Sequence, residues 1–298
     1  RIFWVPLLAI GFVGQSTLLF QEPFGKALVY RGYSYYQLGF AWRHLWNRFP
    51  NWFDMILPIS EKLGERDHKF FYWGLMYGMR FNKDEVNANR IVEFMKKVPE
   101  SYRSYFLEAF GIFVGDVDKD WSHASELMDL ISEEGQGHFY HGLATSIVFD
   151  HWEKLPDYLG NIEYIPRPHH RWFYFHVGVL FYDRANAKQP YEVQKVLNNL
   201  KASESEKRWV FKGMGQEVGS VWTYERLSLE RAFARVLAVV PPQHRDDVFW
   251  GIGWGVRREI VEDRTRALDW IGKLPESMQK SALEGFKACE EWYGIAPA

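Results

Sequence analysis

The chain has 298 residues, a formal net charge of −2, and 18% aromatic residues, among them 14 tryptophans. That charge balance, with no basic run, removes the electrostatic case for a nucleic-acid partner. The single cysteine, Cys289, excludes an internal disulfide, a Cys-rich metal motif and a CxxCH haem attachment.

Residues 2–20 (IFWVPLLAIGFVGQSTLLF) carry no charge and are mostly apolar. At helical rise they extend roughly 28 Å, close to the hydrocarbon thickness of a bilayer. Trp4 suits an interface, and Gln21-Glu22-Pro23 ends the stretch. A signal peptide, or an apolar cap on a first repeat, would look similar. The expectation is a single-pass N-terminal transmembrane anchor over residues 1–20, then a linker over 21–33. Such an anchor ahead of a large C-terminal domain places that domain outside the cytoplasm, in the periplasm if the source is bacterial.

From residue 34 to 298 one segment recurs about every 35 residues. Its anchor is a small residue: Gly39, Gly74, Ala109, Gly142, Gly178, Gly213, Gly251 and Gly285. A turn former stands ten residues earlier, as Pro99, Pro168, Pro241 and Pro275, or as Gly64, Ser132 and Ser203. Proline there suits a first helical turn and ends the preceding helix. Five copies place an aromatic residue three before the anchor, and every copy places an apolar one just after it. Those positions are four apart and share one helical face.

Glycines also recur four apart, as Gly74/Gly78, Gly111/Gly115, Gly215/Gly219 and Gly251/Gly255. Each interior glycine costs a helix about 1 kcal/mol against alanine, so close approach of a neighbouring backbone is expected. Between anchor helices runs an ordinary amphipathic helix, clearest in Ala88–Val98 (ANRIVEFMKKV), with Ile91, Val92, Phe94, Met95 and Val98 on one side. The alanine-led amphipathic helix, the proline turn and the glycine ten residues later resemble a tetratricopeptide-like array, best across Ala88–Val117 and Ala232–Gly255. The resemblance implies an all-α, right-handed α-solenoid of about eight helix-turn-helix repeats over 34–298. The Trp-Leu-Gly-Tyr word of that family is not intact here, and no functional residue transfers with it.

Within such an array the anchor helices line the concave face. The expected partner-binding groove is therefore Phe71, Leu75, Phe106, Phe110, Phe139, Leu143, Phe175 and Val179. The competing reading puts these side chains in the core. Seven histidines fall between His123 and His176. His138, His141 and His176 are the metal candidates, with Glu133 and Glu134 upstream of the first two. No HExxH word accompanies them, and the simpler reading as loop and core histidines predicts no metal and no cofactor. Gly213-Met214-Gly215 and Gly251-Ile252-Gly253 follow no strand, so dinucleotide binding gains no support. No GxSxG or Walker sequence occurs, and the Asp116/Asp118/Asp120 cluster lacks the downstream Glu of a calcium loop. The sequence thus predicts a non-enzymatic, membrane-anchored scaffold that binds another, membrane-associated protein. The alternatives are a permanent accessory subunit of a membrane complex and, behind it, a histidine metal-binding protein.

Overall fold

The computed structural model describes Phe71, Tyr72 and residues 95–117, 121, 124, 128–129, 131–149, 155–186, 190–224, 228–260 and 263–294. No strand occurs among the described residues, and the fold is all-α, compatible with an α-solenoid. None of their helices is long and apolar enough to cross a membrane. The expected span at 2–20, the linker at 21–33 and the copy around Gly39 lie outside the described residues. Gly74 lies outside them too, and so does Gly78, so the close helix approach expected of that pair has no described geometry. Two compact units divide the chain, Arg1–Phe149 and Asp150–Ala298. The division falls inside the array expected over 34–298, between the Gly142 and Gly178 copies.

In the first unit, helix α1 (Glu100–Val117) packs along helix α2 (Glu133–Phe149). Both are apolar over most of their circumference, a pattern that demands burial on several sides. Their axes approach until backbone meets backbone. A Cβ on Gly111 would run into the Phe139 carbonyl oxygen, and one on Gly142 into the Glu108 carbonyl. Gly115 faces the Ser146 hydroxyl in the same way.

The second unit repeats this contact three times. Its helices are α3 (Leu155–Asn161), α4 (His170–Asn186), α5 (Pro190–Asn199), α6 (Glu204–Tyr224), α7 (Leu229–Leu237), α8 (Arg245–Glu259), α9 (Arg264–Gly272) and α10 (Glu276–Tyr293). The long members α4, α6, α8 and α10 stack in chain order. At the α4–α6 crossing Gly178 meets the Val210 carbonyl and Gly213 meets that of Phe175. At α6–α8, Gly215 and Gly219 meet the carbonyls of Val248 and Ile252, while Gly251 and Gly255 meet those of Lys212 and Gln216. At α8–α10, Gly253 meets the Ala282 carbonyl and Gly285 that of Trp250. The short helices α5, α7 and α9 bury one stripe each: Val193 and Leu197, Ala232, Phe233 and Val236, and Ala267 and Ile271.

Local signals fix where the long helices begin. Pro275 is the N-cap of α10, Pro99 directly precedes α1, and Pro168 lies in the 3-10 turn leading into α4. Ser203 and Glu206 form a reciprocal capping box: the Ser203 hydroxyl accepts from the Glu206 N–H and the Glu206 carboxylate accepts from the Ser203 N–H. A second periodic cap, with no single residue type to mark it, lies six residues before the anchor. Arg103, Gln136 and Gln279 each donate to the carbonyl five residues back, on Val98, Ile131 and Leu274, at 3.1, 3.4 and 2.8 Å. Each bond ties a long helix to the end of the element before it. A buried ionic knot closes the C-terminal end: Glu290 of α10 accepts from Arg257 of α8 at 3.0 Å and from Arg264 of α9 at 2.9 Å.

Candidate functional site

The residues expected to line an open groove are core. Phe71, Phe106, Phe139, Leu143 and Phe175 are fully buried, Phe110 and Val179 nearly so, and Leu75 lies outside the described residues. The cause is the glycine contact itself. Residues three before the anchor (Phe139, Phe175, Val210) supply the very carbonyls that neighbouring glycines meet, so this face is turned into the helix–helix contact.

The metal candidates divide between the units. His138 and His141 stand on α2, and His176 on α4. His141 Nδ1 lies 3.6 Å from Glu108 Oε1, and both side chains are fully buried. Among the described residues no three His, Cys, Asp or Glu side chains are placed to share a metal ion. Burial drives the His138 pKa down to about 4, against a smaller upward pull from Glu108. Between the ordinary value of 6.5 and about 4, the unfolded chain takes up a proton that the folded chain refuses. The His138 contribution to stability therefore falls as pH drops through that window and levels off below it. The full span is on the order of 3 kcal/mol. Urea unfolding between about pH 7 and pH 4 should show this slope, flattened in His138→Leu. An unchanged slope in the variant would refute the assignment to His138.

The second unit assembles a cluster that the 35-residue period does not reveal. Trp172 of α4, Trp209 of α6, Trp250 and Trp254 of α8, and Trp292 of α10 converge on one place. Ring centroids lie 5.8 Å apart for Trp172–Trp209, 5.8 Å for Trp172–Trp254, 5.8 Å for Trp209–Trp250, 5.3 Å for Trp250–Trp254 and 4.3 Å for Trp172–Trp292. The last pair brings together the first and fourth long helices of the unit. Their inner side is thus filled by the chain's own indoles. Phe175 packs on Trp172, Trp209 and Trp254, which binds the cluster to the helix contact beneath it.

Trp172 and Trp254 are the floor, each 2% exposed, whereas Trp209, Trp250 and Trp292 are half-buried. Two cations lie on this rim. The Arg171 guanidinium is 5.0, 5.8 and 5.9 Å from the Trp172, Trp292 and Trp209 ring centroids. Lys212 Nζ sits 4.2 Å from both Trp209 and Trp250. Such contacts are worth about 0.5–2 kcal/mol each, more as water is excluded. Burial pulls both pKa values downward; for Lys212, Arg208 and Arg171 add to the fall, while Asp247 and Glu284 oppose it. Beside the rim, Arg208 pairs with Asp247 at 3.0 Å, and Asp247 also meets His244 at 3.2 Å. Elsewhere in this unit a groove of about 630 Å³ runs between α3, α4 and α5, and its charged walls satisfy each other through Arg184 and Glu192 at 2.9 Å.

Compared with protein-family models, curated proteins and solved structures, the chain matches none. Its class rests on its own geometry: an all-α protein, with long helices stacked in chain order and short amphipathic helices packed against them in the second unit.

Proposed function

We propose that the protein is a membrane-tethered helical-repeat scaffold, a tetratricopeptide-like right-handed array of about eight copies, that holds another protein. The observation that carries this reading is the glycine-backed contact repeated at α1–α2, α4–α6, α6–α8 and α8–α10. Each contact sacrifices helix propensity to set neighbouring helices at backbone distance, which yields a stiff array whose purpose is presentation of surface. The tether is residues 2–20, uncharged and long enough to span.

Chemical cross-linking in native membranes, detergent extraction and mass spectrometry test the reading. A partner protein should accompany the tagged chain in near-stoichiometric amount, and deletion of residues 2–20 should release the chain from the membrane fraction. Recovery of the cross-linked chain alone would overturn the scaffold. Retention on membranes after the deletion would overturn the tether. A partner that exchanges with added free chain marks an adaptor, and one that never exchanges marks a permanent subunit.

A further inference from the structure

On the second unit, the arrangement of tryptophans and cations calls for an acidic occupant. Arg171 is exposed, yet no carboxylate among the described residues lies within salt-bridge distance of it, nor of Lys212. Both cations are instead held against indole faces, Lys212 between two of them. Of the two carboxylates that act on Lys212, Asp247 is already engaged by Arg208 and His244, and Glu284 forms no ion pair with it. Cations on a low-dielectric aromatic surface are poorly hydrated, and an arriving carboxylate gains more from them than from a solvated lysine. Among the described residues the buried Trp254 indole N–H, on the floor of the same cluster, also donates no hydrogen bond. Half-exposed Trp and Arg grouped on one rigid surface are the residue types that dominate protein interfaces.

We infer that the rim formed by Arg171, Trp209, Lys212, Trp250 and Trp292 is the docking surface for an acidic, apolar-flanked segment of a partner protein. Carboxylates of that segment pair with Arg171 and Lys212, while its neighbouring apolar side chains lie on the indoles. The inference rests on the scaffold reading and names the chemistry of what the scaffold holds. A single-stranded nucleic acid also stacks on aromatic rings, but it needs a tract of cations along its backbone. Here only two cations without a carboxylate partner among the described residues stand together, enough for the paired carboxylates of a short segment and too few for a phosphate tract.

The test uses the full chain in detergent and a synthetic peptide of about 12 residues alternating Asp/Glu with Leu/Phe, followed by tryptophan fluorescence at low salt. Saturable binding is expected, weakened roughly tenfold by Arg171→Gln and again by Lys212→Gln, and lost as salt rises. A same-length Lys/Leu peptide should not bind. No saturable response up to millimolar peptide, or equal binding by the double variant, would overturn the inference. So would tighter binding of an oligothymidylate of matched charge. Far-UV circular dichroism melts of R171Q and K212Q confirm folding, since neither substitution opens a cavity in the helix contacts. If the cross-linked partner from native membranes is captured equally by the double variant, this surface fails while the scaffold stands. If wild-type chain captures nothing, the scaffold itself fails.

Discussion

Gly213→Ala should lower the unfolding free energy by about 2–3 kcal/mol, although alanine is the better helix former. The new methyl would meet the Phe175 carbonyl oxygen and carbon, atoms of a neighbouring backbone that no rotamer change can move. Helices α4 and α6 would have to separate, and every side chain packed across the crossing would lose contact with them. The intrinsic gain of about 1 kcal/mol from removing an interior glycine offsets only part of this. Gly160→Ala in α3 is the control, because no atom lies within 4 Å of the position its Cβ would take. That variant should be neutral or up to about 1 kcal/mol more stable. Gly178→Ala opens the same crossing from the other side, so the double variant with Gly213→Ala should cost less than the sum of the two. Equilibrium urea unfolding measures all four proteins; equal stabilities of Gly213→Ala and Gly160→Ala would defeat the explanation.

Glu290→Ala should cost about 3–5 kcal/mol, the range for stripping the counter-charge from a buried ion. Arg257 is 1% exposed and also donates to the Ile260 carbonyl at 2.8 Å, so its guanidinium has no route to water. Among the described residues Glu290 is the carboxylate paired with it, and Arg264 reaches the same oxygen from the start of α9. The Phe286 ring lies 5.5 Å from Arg257 and 5.6 Å from Arg264, which adds cation–π attraction but no negative charge. Replacing both partners, in Arg257→Leu with Glu290→Leu, should recover most of the loss, since the desolvation cost disappears with the charges. A single variant within about 1 kcal/mol of wild type would show that the knot contributes little to holding α8, α9 and α10 together.

How much of the fold is legible in the chain depends on how far each signal reaches. The prolines and serines ten before the anchor act on their own helix start, and they stand where the long helices begin. The recurring glycines point to a neighbour at backbone distance, and period alone supplies which neighbour. The fate of Phe106, Phe139 and Phe175 is not legible, because a −3/+1 stripe looks the same whether it faces a groove or the next helix. Distinguishing the two requires knowing which carbonyl each glycine meets. The buried approach of His141 to Glu108 is likewise a contact between helices whose rotation the spacing does not set. Arg257 and Glu290 stand 33 residues apart, on two different long helices, and only the stacking order makes them partners.

The tryptophan cluster is hidden from the period for a different reason: its members do not share one position of the repeat. Measured from the glycine of each helix, Trp172 stands at −6, Trp209 at −4, Trp250 and Trp254 at −1 and +3, and Trp292 at +7. The indoles migrate toward the C-terminal end as one passes from helix to helix, a total advance of about 20 Å at helical rise. Trp172 is the third residue of α4, and Trp292 is the last but one of α10. The progression therefore starts at the first turn available and finishes at the final one. Each long helix of the unit offers the cluster a different turn, from the first of α4 to the last of α10. The indoles thus form a diagonal seam that crosses all four helices and sews the first to the fourth, which no side chain at a single repeated position could do.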